Sequence, residues 1–219
     1  MKLTIYNPKQ ALNKAYLKEK VSRENIELFK KNLSTLLSKI DEKEYEEHLK
    51  NVISDFLKDT WYKETNEINT KGRQDLVIHT GKTTKEPVGV ILEVKQPLNT
   101  TEMMSEAKPN VKAMHELILY YLRERMAHNN IDIKYLIATN IYEWFIIDEV
   151  WFEKNVFRNT KLKKDFESWR LSGNDTRLFY ENIAKPFLET ITEKVECTYF
   201  DVRQFENVIS NREIRTNYL

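Results

Sequence analysis

Apolar residues recur at helical spacing through Ile26, Phe29, Leu33, Leu36, Leu37 and Ile40, and again through Tyr45, Leu49, Val52, Ile53, Phe56 and Leu57. The first set predicts helix over residues 8–40 with a new start at Ser22. The second predicts a helix opened by Asp41, with Glu44 three residues on forming a capping-box-like pair. The pattern then turns strand-like, with one strand near Trp61, one over 74–80 and one over 88–95. Between the last two lies GKTTKEP, a polar stretch with Gly and Pro that reads as a hairpin loop. A helix follows from near Asn110 to about His128, and "IKYLIATN" and "YEWFIID" read as two strands about a tight turn. Helices near 161–170 and 176–193 and a strand at "CTYFDV" complete the expectation.

This order predicts an α/β core, a mixed sheet flanked by helices, with an N-terminal helical segment. The chain reads as a single domain over 1–219: a helical segment at 1–40, a core at 41–150 and a mainly helical part at 151–219. The closing "NVISNREIRTNYL" runs on without a stop signal, which suggests an N-terminal piece of a longer chain. Charged residues make up 32% and apolar residues 41%, as expected of a globular protein outside the membrane. The lone Cys197 excludes an internal disulfide and fits a reducing cytoplasm. A formal charge of +1 lacks the basic excess of a self-sufficient nucleic-acid binder. Four scattered glycines allow no P-loop or dinucleotide fingerprint, and four scattered histidines with one cysteine give no zinc spacing. No G-x-S-x-G elbow is present.

The chemistry concentrates in "GRQDLVIHTGKTTKEPVGVILEVKQP", where Asp75, Glu93 and Lys95 stand in apolar strands. Charges there are costly unless paired or holding a metal. Alternation puts Ile91, Glu93 and Lys95 on one face and Val90, Leu92 and Val94 on the other, with Asp75, Val77 and His79 together on the neighbouring strand. Antiparallel pairing brings Asp75 to the Glu93–Lys95 end. Two converging carboxylates suit Mg²⁺, with the Val94 carbonyl as a further oxygen. Such an ion acidifies water and neutralises phosphate charge, and Lys95 would orient the attacking water.

These residues resemble the PD-(D/E)XK nuclease superfamily: Asp75, a hairpin spacer, then "EVK" on a buried strand, with Gln74 where a proline is usual. In "NVKAMHELILYYLRER" the packed stripe is Met114, Leu117, Ile118 and Tyr121, while Glu116 and Tyr120 share another face. "ELILY" resembles, as a Glu variant, the Q-x-x-x-Y motif of the RecB-like branch. That branch also implies a glutamate on the first core helix, where Glu46 borders the buried face and Glu47 points nearly opposite. Together with "EEHLKN", "DFLKDTWY" and "YLIATNIYEWFIID", residues 40–150 are similar to the nuclease region of single-chain type IIG restriction–modification enzymes. The resemblance implies a restriction-endonuclease-like fold and adenine methyltransferase and target-recognition regions beyond residue 219, since no N-P-P-Y-like motif is present.

The expectation is a Mg²⁺-dependent endonuclease domain acting on double-stranded DNA, with Asp75, Glu93 and Val94 at the metal and Lys95, Glu46, Glu116 and Tyr120 about it. Asp75→Ala or Lys95→Ala is then expected to abolish cleavage and leave the fold intact. Cutting both strands calls for a dimer or transient pairing. The alternatives are a non-catalytic nuclease-like module docking DNA or a protein, and a RecB-like nuclease of another defence or repair system. His48, His79, His115 and His128 read as structural or solvent-facing, Lys161, Lys163, Lys164 and Arg170 as a solvated face, and Trp144 and Trp151 as packing.

Overall fold

Two hydrophobic cores lie on opposite faces of one seven-stranded mixed sheet with strand order β1-β7-β6-β5-β4-β3-β2. The computed structural model of the chain describes residues 1–72, 74–173 and 175–206, so the stretch 207–219 read above as running on lies outside the described residues. The strands are β1 (Lys2–Tyr6), β2 (Ile68–Lys71), β3 (Gln74–His79), β4 (Val88–Val94), β5 (Tyr135–Thr139), β6 (Glu143–Asp148) and β7 (Lys194–Asp201). β2, β3 and β4 form an antiparallel meander, and β4 runs parallel to β5. A parallel pair needs a long crossover, and the helix α4, defined below, supplies it. β5, β6 and β7 are again antiparallel, and β1 closes the far edge parallel to β7.

The helices are α1 (Pro8–Ala11), α2 (Arg23–Ser38), α3 (Glu46–Leu57), α4 (Lys112–Ala127), α5 (Glu149–Phe152), α6 (Thr160–Leu171), α7 (Thr176–Phe179) and α8 (Lys185–Thr190). α2 and α3 pack on the face that shows Leu76, Ile78, Leu92 and Val94, where an open cleft of about 780 Å³ passes between Trp61, Ile137 and Phe200. α4 packs on the other face, over Val77, Ile91 and Ala138, and is itself covered by Phe152, Phe166 and Phe179. It is therefore buried nearly all round, as an apolar helix between two layers must be. Among the described residues no helix is long and apolar enough to cross a membrane.

Several expectations need correction. The segment 1–40 is not purely helical: Lys2–Tyr6 is a strand, and helix over 8–40 is broken into α1, a short 3-10 turn at Tyr16–Lys18 and α2. The start at Ser22 does hold, its side chain accepting from the Asn25 N–H. Asp41 does not open the next helix. Its carboxylate accepts from the Lys43 N–H in a turn, and α3 begins at Glu46. Around Trp61 there is no strand; Lys58–Tyr62 continues α3 as a π-helical turn that packs Trp61 tilted on Phe29 and edge-on to Phe56.

Candidate functional site

The site is built where the sheet ends between the first turns of α3 and α4. β3 and β4 pair with Leu76 opposite Leu92, so the next step outward sets Asp75 alongside Glu93. Because side chains alternate, both acids lie on the α4 side with Val77 and Ile91. Lys95 follows directly after β4, its N–H donating to the Thr139 carbonyl at 2.8 Å, which carries the strand geometry one residue further. The sheet is covered on both faces, so these charges do not sit at a solvated rim. Glu93 is 1% exposed and Lys95 2%.

The Lys95 ammonium donates to Glu93 Oε1 at 2.5 Å and to Glu116 Oε2 at 2.6 Å. Tyr180 OH donates to the other Glu116 oxygen at 3.2 Å. Burial works to lower the Lys95 pKa, but the two carboxylates outweigh it and hold the ammonium above its ordinary range. Asp75 is bound differently. Its Oδ2 accepts the Val94 N–H at 2.9 Å, and its Oδ1 faces the Lys50 ammonium at 2.7 Å. The contribution of Val94 seen here is thus its N–H. Glu46 is half-buried, and burial with the fields of Asp75 and Glu116 raises its pKa against the pull of Lys95 and Lys50. Glu47 is exposed and meets Lys50 at 3.4 Å. Tyr120 is buried in the core under α4, and its hydroxyl pKa is raised by burial and by the fields of Glu93, Glu116 and Asp75.

All seven residues expected at the site are therefore brought to one region, Val94 through its N–H. Four carboxylates there (Glu46, Asp75, Glu93, Glu116) face two ammoniums (Lys50, Lys95), an excess of two negative charges if all ionise. Burial and the neighbouring carboxylate Glu116 push the Glu93 pKa well up, while Glu93 and Lys95 bring Glu116 down despite its burial. The second oxygen of Glu93, Oε2, is buried with no hydrogen-bond partner. A buried acceptor left so is expensive, and in native proteins such a group calls for an explanation. Among the described residues no three His, Cys, Asp or Glu side chains stand, as placed, close enough to hold a metal. The donor types nonetheless suit a hard divalent cation: carboxylate oxygens, one of them buried and unpartnered.

Lys50 and Tyr180 were missed by the sequence reading. Lys50 stands one helical turn after Glu46 on the same helix face, a signal that was available. Tyr180 comes from the π-helical turn Tyr180–Ala184 and reaches Glu116 only through the packing of the C-terminal helices. The reading also missed a second buried charge. Glu124 binds Lys71 at 2.8 Å, Gln74 at 2.9 Å and Asn130 at 3.1 Å, tying α4 to β2 and β3. Removing Lys95 would leave Glu93 and Glu116 unpaired in the interior, which costs about 3–5 kcal/mol. Lys95→Ala is therefore expected to lower stability as well as cleavage.

The remaining candidates lie in other contacts or on the surface. His79 bridges Glu86 O at 2.7 Å and Asn69 Oδ1 at 3.0 Å, His115 binds Asn110 Oδ1 at 2.7 Å, and His48 meets Lys39 O at 3.2 Å. His128 caps the C-terminus of α4. Lys161 pairs with Asp165 and Lys163 lies over the Phe157 ring, while Lys164 and Arg170 are exposed. Trp144 is buried against Phe200, and Trp151 packs on Phe152.

No curated protein and no solved structure matches the chain. Over residues 6–218 the sequence matches the family described as Domain of unknown function (DUF7149), and the chain belongs to that family.

Proposed function

We propose that this chain is a Mg²⁺-dependent endonuclease domain that hydrolyses DNA phosphodiester bonds as part of a type II restriction–modification enzyme. The observation that carries the reading is the buried Glu93–Lys95–Glu116 cluster beside Asp75, in which Glu93 keeps an oxygen without a donor. A core gains no stability from such an arrangement over a packed apolar one, and perturbed ionisable clusters of this kind concentrate at functional sites. The resemblance of "DLVI", "EVK" and "ELILY" to the PD-(D/E)XK superfamily supports the same reading.

Asp75 and Glu93 would hold the metal, with the Val94 carbonyl as a further oxygen and Glu46 at the open side. A bound Mg²⁺ supplies an acidified water and charge neutralisation at the phosphate. Lys95 stays protonated between its two glutamates and orients the water by donating to it. Glu116, held in turn by Tyr180, fixes where that ammonium points. Tyr120 keeps water from the inner side of the cluster. Double-stranded DNA, methyltransferase and recognition regions elsewhere in the polypeptide, pairing of two copies for double-strand cutting, and a cytoplasmic location belong to this proposal.

Incubating supercoiled plasmid with the protein and Mg²⁺ tests it. Nicking or linearisation is expected, lost in Asp75→Asn and in Glu93→Gln while circular dichroism stays unchanged. Cleavage that survives both substitutions overturns the assignment. The pairing of both Asp75 oxygens, with Val94 N–H and Lys50, favours one second reading: a nuclease-like fold that docks DNA or protein without a metal. That reading expects no heat of Mn²⁺ binding.

A further inference from the structure

Both Asp75 oxygens are engaged, one by a backbone N–H and one by an ammonium. Oδ2 is tied to the backbone by the Val94 N–H at 2.9 Å, a bond that fixes the carboxylate plane against β4. Oδ1 is the remaining donor, and the Lys50 ammonium holds it at 2.7 Å. Both side chains are largely covered, with 14% of Lys50 and 11% of Asp75 exposed, so water screens the contact poorly. Lys50 also has somewhere else to go. Glu47, one turn back on α3 and exposed, already lies 3.4 Å from the same nitrogen. One hinge of a flexible four-carbon stem separates the two positions.

We propose that Lys50 is a competing counter-cation of this site: its ammonium and a divalent ion exclude one another at Asp75 Oδ1, and ion binding moves Lys50 to Glu47. The proposal rests on the metal-site reading above. A second, independent feature points to the same ion, namely the buried Glu93 Oε2, which Lys50 does not reach and nothing else satisfies. The consequence is regulatory. The protein without metal keeps Asp75 neutralised and folded in place, and the metal is bound more weakly than four carboxylates would allow. Two positive charges cannot share one carboxylate oxygen in a poorly screened pocket without a large mutual repulsion. Lys50 is thus a tuning residue of the site and touches neither the water nor the phosphate in this scheme.

Isothermal titration of the full chain with MnCl₂ decides the matter, using Lys50→Met, which keeps the apolar stem and removes the charge, and Lys50→Arg, which keeps the charge. Lys50→Met is expected to bind Mn²⁺ about tenfold or more tighter than the unsubstituted protein, and Lys50→Arg to stay within about threefold of it. Equal or weaker Mn²⁺ binding by Lys50→Met overturns the proposal and leaves the metal site standing. No binding by either the unsubstituted protein or Lys50→Met overturns the metal-site reading itself. A Mg²⁺ titration of the unsubstituted protein, followed by the lysine Cε–Hε resonances, gives a readout independent of any variant. The Lys50 signal is expected to shift in step with the ion, and an unmoved signal at saturation overturns the exchange.

Discussion

Glu93 places one carboxylate oxygen against Lys95 and leaves the other buried without a donor. Glu93→Gln removes the desolvated charge while Lys95 keeps Glu116, so stability is expected to change by no more than about 1 kcal/mol or to rise. Denaturant melts check this, and loss of Mg²⁺-dependent nicking without loss of stability is the signature of a functional charge. A second prediction concerns His115, whose pKa burial lowers to about 4, Glu116 opposing and Lys185 assisting. Its Nε2 lies 2.7 Å from Asn110 Oδ1, and burial favours the neutral ring in the folded state. Between its ordinary 6.5 and about 4 the unfolded chain binds a proton that the folded one does not. Stability is therefore lost as pH falls through that window. Melting temperatures of His115→Gln minus those of the unsubstituted protein should rise as pH drops from 6.5 to 4. A flat difference would show that the ring is protonated in place.

Among the elements, α4 carries the most, since it faces the sheet with one side and the C-terminal helices with the other. Glu124, fully buried, is its brace to Lys71, Gln74 and Asn130. Burial raises its pKa, but the bonds from Lys71, Gln74 and Asn130 outweigh that and hold it below 4.5. The brace therefore stabilises above pH 4.5 and is lost as pH falls through the folded-state value. Glu124→Ala strands the buried Gln74 amide and takes one of two bonds from Asn130 Nδ2, which keeps Val88 O, and is expected to cost about 3 kcal/mol, read as a lower urea midpoint at pH 7. The β3–β4 hairpin was legible in the sequence because alternation, Gly and Pro all spoke for it locally. So was the placement of Asp75 and Glu93, since a charge in an apolar strand is conspicuous. β1 was not legible: its five residues gain their pairing from β7, nearly the whole chain away. Trp61 and Tyr62 look β-forming, yet packing on Phe29 and Phe56 keeps them in a π-helical turn. Tyr180 meets Glu116 across 64 residues, a contact no local pattern announces.

On the scale of the whole molecule, a formal charge of +1 gives this domain little hold on a phosphate backbone. Its affinity for unspecific duplex at physiological salt is expected near the weak end of the common range, about 10⁻⁴ M, with a shallow salt dependence. Fluorescence anisotropy with a labelled duplex at two salt concentrations tests that; sub-micromolar binding would show that local basic patches outweigh the near-zero net charge. The proposed chemistry requires a divalent ion between Asp75 and Glu93. Anomalous scattering from a crystal soaked in Mn²⁺ measures this most directly. A peak bonded to Asp75 and to Glu93 is expected, with Lys50 turned to Glu47. A map at saturating Mn²⁺ with no peak beside Glu93, and with Lys50 still on Asp75, would contradict it.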